Sequence, residues 1–196
     1  MSRARPYDRQ TAIDAAMTLF WEKGYHATSL KDLEAALQMK PGSIYAAFKS
    51  KEGLYLEALA YYGESFEQRL DAVAEVSDTP LKTLANFMRS QVKADEKGVL
   101  RACMVVKTLL DLPLADGPIG AAARAQYDHT RSAFADLFRA AQAQGQLAAD
   151  ADPEVLAKSY QMAITSLRIE AQRTPNDPLV TELAETQAAE IEALAV

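Results

Sequence analysis

The sequence predicts an all-α fold of about nine helices, and three observations support that prediction. Apolar residues recur at helical spacing along most of the 196-residue chain, and no stretch has the alternating pattern of a strand. Helix-start signals recur, among them Thr79-Pro80 and Asp152-Pro153, in which a capping side chain precedes a proline. Gly24 and Gly145 stand where two of the helices are expected to end.

Taken in order, these signals predict nine helices in two domains. Residues 1–50 are expected to form a three-helix domain, and residues 51–196 a second, larger helical domain. The predicted helices cover residues 8–23, 30–37, a very short stretch from residue 41, 51–76, 80–97, 100–112, 119–144, 153–173 and about 178–195.

Residues 30–54 have the pattern of a helix, a short turn, a second short helix and the start of a third. Ser29 and Asp32 have the spacing of a capping box at the start of the first helix. Pro41 suits the first turn of the second helix, because a proline lacks the N–H that would have no partner there. Two helices joined in this way form a helix-turn-helix, whose second helix can enter the DNA major groove.

The distribution of charge fits a DNA-binding head on an acidic body. The whole chain has a formal net charge of −6. Residues 1–51 contain eight Lys and Arg against five Asp and Glu, so that they carry +3 and the remainder carries −9. Attraction to phosphate requires only local positive charge, because salt screens charges more than about 8–10 Å away.

Other features of composition predict a cytoplasmic protein. No apolar run approaches the ~20 residues that span a bilayer, and the first ten residues have no apolar signal core. Cys103 is the single cysteine, which excludes an internal disulfide and fits a reducing compartment. His26 and His129 lack ligand spacing around them, and no metal site or cofactor is expected. The sequence contains neither a Ser-His-Asp arrangement nor a Gly-rich phosphate-binding loop, and we do not expect an enzyme.

The chain resembles the N-terminal domain of the TetR/AcrR family of one-component repressors over about residues 9–57. The residues that carry the resemblance are Phe20, Gly24, Tyr25, Thr28, Ser29, Leu30 and Leu33, followed by Gly42, Ser43, Ile44, Tyr45, Phe48, Ser50, Lys51 and Leu54. The resemblance implies a homodimeric regulator that binds a palindromic operator and a small-molecule effector. Residues 1–50 are then the DNA-binding domain, and residues 51–196 the domain for ligand binding and dimerisation. The resemblance also implies that the helix from residue 51 transmits effector binding to the DNA-binding heads.

The predicted DNA contacts lie on and beside the second helix of the motif. Ile44 and Phe48 form its inner side, which leaves Ser43 and Ala46 facing the groove, where Ala46 offers only apolar contact. By resemblance, Tyr45 and Lys49 bind the DNA backbone, and Thr28, Ser29 and Lys51 hold phosphates at helix starts. The full predicted set is Arg5, Thr28, Ser29, Lys40, Pro41, Gly42, Ser43, Tyr45, Ala46, Lys49 and Lys51.

Two departures from the family pattern affect base recognition. Many relatives carry Lys at the position of Pro41, and an aromatic-His pair where this chain has Ala46-Ala47. These losses leave few direct donors to bases, so specificity is expected to depend on few contacts, on water or on DNA shape.

Candidates for an effector pocket in the C-terminal domain are aromatic and Met residues at helical spacing with a few polar groups. The predicted lining is Tyr62, Phe66, Phe87, Gln91, Met104, Lys107, Tyr127 and Met162. A mostly apolar cavity with a few polar groups suits a small ligand. The alternative is that these residues are ordinary core.

The last two predicted helices are candidates for the dimer interface. Tyr160, Ala163, Ile164 and Leu167 share a face of the eighth helix, and Leu179 and Leu183 recur on the ninth. Packed against a symmetry mate, these faces would form a four-helix interface. The alternative is that they are intramolecular core.

Cys103 suggests a second mode of sensing. If residues 100–112 were helical, Lys107 would share a face with the thiol and could lower its pKa. The segment resembles one found in some electrophile-sensing members of the family. The alternatives to a ligand-responsive repressor are therefore a thiol sensor that acts through Cys103 and a DNA-associated interaction protein without a ligand. A buried helical cysteine can also be simply a small hydrophobe.

Overall fold

A computed structural model of the chain describes residues 8–94, 99–111 and 116–196. Over these residues it contains no strand, apart from one isolated antiparallel bridge between Leu147 and Ala195, and the all-α prediction is confirmed. No described helix is both long enough and apolar enough to cross a membrane. The helices are α1 (Arg9–Lys23), α2 (Leu30–Leu37), α3 (Pro41–Phe48), α4 (Lys51–Glu75), α5 (Pro80–Ser90), α6 (Met104–Leu110), α7 (Pro118–Ala143), α8 (Pro153–Arg173) and α9 (Pro178–Glu192).

The helix termini follow the capping signals of the sequence. Asp8 is the N-cap of α1, and Gly24 ends this helix with φ of 82°. Ser29 and Asp32 form the predicted capping box at the start of α2. Helices α3, α5, α8 and α9 begin with a proline, where its missing N–H costs no hydrogen bond.

The chain divides into two compact units. Unit 1 comprises Met1–Ser65 and Lys107–Arg124, and unit 2 comprises Phe66–Val106 and Ala125–Val196. Helices α4, α6 and α7 each contribute residues to both units. The predicted division at residue 50 therefore remains a prediction about function, because the division by packing lies elsewhere.

Unit 1 is held by a core in which the helix-turn-helix packs on α1 and the first turns of α4. Phe20, Leu33, Ile44 and Leu54 are each 2% exposed or less. The ring of Phe20 meets that of Tyr55 edge to face, with centroids 4.8 Å apart. Edge-to-face rings add a directional term to the apolar burial, and this pair holds α1 against α4.

The core of unit 2 is aromatic at its centre. The Phe66 ring centroid lies 5.7 Å from that of Phe87 and 5.7 Å from that of Phe134. Phe134 also meets Tyr160, whose hydroxyl donates a hydrogen bond to the Leu84 carbonyl at 2.6 Å. Burial raises the pKa of Tyr160 well above its ordinary value.

Helix α9 is joined to α5 by an ionic link as well as by apolar packing. The Arg89 guanidinium donates to the carboxylates of Glu185 and Glu192, each at 2.8 Å. These hydrogen bonds hold the pKa of Glu192 below its ordinary value and raise that of Arg89.

Helix α5 ends at Ser90, and its predicted extension to residue 97 is wrong within the described residues. The Phe87 carbonyl would accept from the Gln91 N–H if the helix continued. Instead it accepts from the Ser90 hydroxyl at 2.6 Å and from the Gln91 side-chain amide at 2.9 Å. Side chains that bond to backbone carbonyls in this way compete with the next helical turn.

Helix α6 begins at Met104 rather than at residue 100. The Arg101 carbonyl accepts from the Arg168 guanidinium at 2.9 Å, and the Ala102 N–H donates to the Gln172 side chain at 2.6 Å. Since α8 satisfies these backbone groups, residues 99–103 gain little from helical hydrogen bonds. The predicted end of this helix at Leu112 lies outside the described residues.

Helix α9 also ends earlier than predicted. It ends at Glu192, and the last residue of the chain donates its backbone N–H to the Gln146 carbonyl at 3.1 Å. The bridge at Leu147 therefore takes the place of the last helical turn.

Candidate nucleic-acid interface and association surface

Helices α2 and α3 form the predicted helix-turn-helix, and α3 presents one face to solvent. The turn between them begins at Gln38, which has a left-handed backbone with φ of 53°. On α3, Ile44 and Phe48 are each 2% exposed and face the core. The residues of α3 that are exposed are Gly42, Ser43, Tyr45 and Ala46, while Pro41 is half-buried. The outward direction predicted for Ser43 and Ala46 agrees with this placement.

Thr28 is not available to hold a phosphate with its hydroxyl, contrary to prediction. The side chain is 1% exposed, and its hydroxyl donates to the Gly24 carbonyl at 2.7 Å. Ser29 is exposed, but its hydroxyl donates to the Asp32 carboxylate and accepts from the Asp32 N–H. The Ser29 hydroxyl therefore caps α2, and the Thr28 hydroxyl bonds to the residue that ends α1.

Several cations of unit 1 have partners within the unit. Arg9 donates to the Glu57 carboxylate at 2.6 Å and to the Ala47 carbonyl at 3.1 Å, with its guanidinium over the Phe48 ring. Lys23 pairs with Asp32 at 2.6 Å. Arg9 was not predicted as a residue of this site. Its partners lie 38 and 48 residues further along the chain, and no local sequence pattern encodes such contacts.

Other cations stand free of ion pairs within the described part of the chain. These are Lys31, Lys40 and Lys49, all of which are exposed. Lys40 is the N-cap residue of α3 and Lys49 its C-cap residue, so the exposed face of α3 has an ammonium group at each end. Lys51 is half-buried, with its ammonium 4.4 Å from the centroid of the Tyr25 ring. Burial lowers the pKa of Lys51 and raises that of Tyr25. Arg5 lies outside the described residues.

Helix α6 and the residue that follows it contribute three polar side chains to unit 1. The Lys107 ammonium donates to the Trp21 carbonyl near the end of α1. Thr108 and Tyr55, which are 2% and 3% exposed, share a hydrogen bond of 2.7 Å between their hydroxyls. Asp111 lies 3.7 Å from the His26 ring. Lys107 was predicted to line the effector pocket, but its ammonium bonds to α1 within unit 1.

The other predicted pocket residues are divided between buried and exposed positions. Phe66 and Phe87 lie in the aromatic centre of unit 2, Met104 is 1% exposed, and Tyr62 is buried in unit 1 against the Trp21 ring. Gln91 accepts from Arg168 at 3.4 Å, and the Tyr127 carbonyl accepts from the Gln161 side chain at 2.8 Å. Met162 is 59% exposed on the outside of α8 and does not line the interior.

The predicted interface on α8 requires a correction. Tyr160, Ile164 and Leu167 are at most 8% exposed and form part of the core of unit 2, and Ala163 packs partly against it. These side chains are the intramolecular core that was the alternative reading. The opposite face of α8 exposes Val155, Met162 and Ile169 at intervals of seven residues, and α9 exposes Leu179 and Leu183. This set of five is called the outer stripe below.

Cys103 lies one residue before α6 and is only half-buried. Because residues 99–103 are not helical, the helical spacing that would place Lys107 beside the thiol does not form. The Lys107 ammonium is engaged with the Trp21 carbonyl instead. The proposed activation of this cysteine by Lys107 therefore lacks its geometric basis.

Comparisons with known proteins match both ends of the chain to one family. The family model for bacterial regulatory proteins of the tetR family matches residues 12–58. The model for the tetracyclin repressor-like C-terminal domain matches residues 80–186.

Curated relatives and solved structures extend these matches over nearly the whole chain. The HTH-type transcriptional repressor ComR of Escherichia coli is 28% identical over 94% of this chain and 90% of its own. The transcriptional regulator AcuR of Cereibacter sphaeroides is 30% identical over 77% of this chain and 70% of its own. A cysteine mutant of the regulator CifR, solved with 26 bp of double-strand operator DNA, has a TM-score of 0.83 at 31% identity and covers 100% of both chains.

Proposed function

We propose, from the premise that this chain belongs to the TetR family of bacterial transcriptional regulators, that it is a homodimeric repressor released from its operator by a small-molecule effector. It is a DNA-binding regulator and not an enzyme. The observation that supports the proposal most directly is the exposed face of α3, with Lys40 and Lys49 at its two ends. As a regulator of bacterial genes, it would act in the cytoplasm.

In this proposal α3 is the recognition helix and lies in the major groove. Ser43 reaches base edges, Ala46 contacts a thymine methyl, and Pro41 and Gly42 approach the DNA with their backbone. Tyr45, Lys40 and Lys49 hold the phosphates. Since Ser43 is the single exposed hydroxyl on the first turn of α3, shape and deformability of the operator contribute much of the specificity.

Dimerisation in this proposal uses the outer stripe. A second copy that covers Val155, Met162, Ile169, Leu179 and Leu183 would bury apolar side chains that the monomer leaves in water. A dimer holds two recognition helices, which read half-sites about 34–36 Å apart or a multiple of that spacing.

The effector acts by a shift of population between two conformations. It binds more tightly to the conformation in which the spacing of the two DNA-binding domains does not match the operator half-sites. Occupancy of the operator therefore falls. Unit 2 offers an apolar and aromatic environment with the polar side chains of Gln91 and Arg168 beside it, which suits a largely apolar effector with one polar group.

The experiment that tests this function is titration of the protein against DNA from upstream of its own gene. Specific binding, with two protomers or more per site and a steep dependence on salt, is expected. Ala46→Glu places a carboxylate on the groove face of α3 and should abolish binding. Ala121→Glu, the same change at an exposed position of α7, should leave it intact.

Two results would contradict the proposal. Wild-type protein that binds this DNA no more tightly than random DNA, even at low salt, would contradict operator recognition. A response to electrophiles that Cys103→Ser abolishes would favour the thiol sensor over a reversible effector.

A further inference from the structure

One side chain at the start of α1 joins three helices of unit 1. Arg9 is the first residue of α1, and Asp8 caps the helix there, because its carboxylate accepts from the Gln10 N–H at 3.1 Å. The cap fixes the backbone from which the Arg9 side chain extends. Its guanidinium then reaches the end of α3 and the middle of α4.

The contacts of Arg9 use different parts of the guanidinium. Nη1 donates to the Ala47 carbonyl in the last turn of α3 at 3.1 Å. Nη2 donates to both carboxylate oxygens of Glu57 on α4, each at 2.6 Å. The group also lies over the Phe48 ring, 4.8 Å from its centroid. Arginine suits this place because its donors form a rigid plane that can also stack on a ring, whereas a lysine ammonium is a single point charge.

Helix α3 depends on contacts with its neighbours for its position. It has eight residues, which are too few for a helix to be stable alone in water. Its buried side chains are Ile44 and Phe48. The carbonyls of a helix's last turn lack partners within the helix, and that end carries partial negative charge. Arg9 satisfies one of these carbonyls and brings a positive charge to the same end.

The charge balance of the pair argues against a phosphate contact by Arg9. Glu57 neutralises the guanidinium, so that the pair as a whole adds no net charge for attraction to DNA. Lys40, in contrast, is exposed and has no ion pair with a described residue. The two side chains of the pair are 49% and 35% exposed, and ion pairs so exposed add little to global stability. Placement of α3 is therefore the main consequence of these bonds.

We propose that Arg9 and Glu57 are a positioning pair for DNA recognition, which holds the C-terminal end of α3 in the orientation that fits the major groove and does not itself contact DNA. A recognition helix that is already held in the free protein loses less freedom on binding. Glu57 thus supports binding to a polyanion although it is itself an anion. This inference rests on the proposed function, because it requires specific binding to an operator.

A double variant separates positioning from charge. Arg9→Ala/Glu57→Ala removes the pair without changing the net charge. It is expected to weaken operator binding about three- to tenfold and to leave binding to random DNA within about twofold of wild type. Its salt slope should equal that of wild type. Lys40→Ala, the reference for loss of a phosphate contact, should reduce the slope by about 2 per dimer, one contact for each head.

Glu57→Ala alone tests the sign of the effect. Removal of an anion would strengthen binding to DNA if only electrostatic attraction mattered. We expect this variant to weaken operator binding instead, because Arg9 loses the partner that directs it toward α3. Glu64→Ala, which removes the same charge at another exposed position of α4, should not weaken operator binding.

Hydrogen exchange in the free protein gives a measurement that needs no DNA. The Lys49 N–H donates to the Tyr45 carbonyl at 2.8 Å, and its exchange should be about three- to tenfold faster in the double variant. Exchange of the Leu33 N–H, which donates to the Ser29 carbonyl in α2, should not change.

The inference is overturned if the double variant binds the operator as wild type does, if its salt slope falls as that of Lys40→Ala does, or if Glu57→Ala binds more tightly than wild type. Unchanged exchange at Lys49 would also overturn it. Failure of the proposed function is a different result, because the wild-type protein itself would then not bind the operator specifically.

Discussion

Asp32 combines three interactions at the start of α2. Its carboxylate accepts from the Ser29 N–H at 2.9 Å, from the Ser29 hydroxyl at 2.7 Å, and from the Lys23 ammonium at 2.6 Å. The bond from Lys23 and those from Ser29 hold the pKa of Asp32 far below its ordinary value of 3.8. One side chain therefore caps α2 and ties it to the end of α1.

We expect Asp32→Asn to lower the melting temperature at neutral pH by roughly 1–3 °C, because the ion pair with Lys23 is lost. A lowered pKa in the folded state means that ionised Asp32 stabilises the fold fully above about pH 3.8, its ordinary pKa. That contribution declines as the pH falls below this value toward the folded-state pKa. The difference between wild type and variant should thus shrink in thermal melts below pH 3.8.

Asp71→Asn, at an exposed aspartate of α4, serves as the reference for the loss of one carboxylate. A gap between wild type and Asp32→Asn that stays constant from pH 7 down to pH 2 would contradict the ionic explanation. It would indicate that only the shape of the cap matters.

At the scale of single residues, local pattern predicted Ser29 and Asp32 correctly but not the role of Thr28. A capping box depends on residues three apart, so the sequence contains all of it. The direction of the Thr28 hydroxyl depends instead on burial against the rest of unit 1, and this turns it to the Gly24 carbonyl. Contact with DNA by the remaining predicted residues stays a prediction.

At the scale of helices, the sequence predicted where most helices begin and misjudged two ends around residues 91–103. Prolines and their capping partners lie close together in sequence, which explains the correct starts of α5, α8 and α9. The loss of helix at residues 99–103 results from Arg168 and Gln172, which lie about 70 residues away in sequence. No periodicity can reveal such long-range hydrogen bonds.

Helix α6 is joined to α4 by the buried hydrogen bond between Thr108 and Tyr55. Burial raises the pKa of Tyr55, so its hydroxyl stays protonated at neutral pH. We expect Thr108→Val to destabilise the protein by about 1–3 kcal/mol in chemical denaturation, because the Tyr55 hydroxyl is left buried without this partner. Adding Tyr55→Phe should recover part of the loss, because it removes that hydroxyl.

Thr130→Val is the matched control, because the Thr130 hydroxyl donates to the Gln126 carbonyl one turn back in its own helix and this bond joins no second helix. Its effect should be about 0.5 kcal/mol or less. If the double variant of Thr108 and Tyr55 loses as much stability as the sum of the two single variants, the two hydroxyls are not coupled, and the link between α6 and α4 is apolar packing alone.

At the scale of the whole molecule, the sequence predicted a dimer surface on α8 and α9, but the face predicted on α8 is buried in the core of unit 2. The richest apolar face, with Tyr160, Ile164 and Leu167, was taken for the interface. An amphipathic helix packs its most apolar face into the core of its own subunit. Only the fewer apolar side chains on the opposite face are then left for a partner subunit. Leu179 and Leu183 on α9 are exposed as a surface for association requires.

The outer stripe carries the last prediction, which concerns assembly and DNA binding together. Met162 is 59% exposed between Val155 and Ile169, so a charge there leaves the folded monomer intact but would be buried without a partner in the dimer. We expect Met162→Glu to sediment as a monomer at concentrations at which wild type is a dimer, and to lose at least tenfold in operator affinity. Ser132→Glu, the same charge at an exposed position of α7, should remain a dimer. A dimeric Met162→Glu would place the interface elsewhere. A monomeric variant with undiminished operator affinity would show that each head binds alone, and the paired-half-site mechanism would then be wrong.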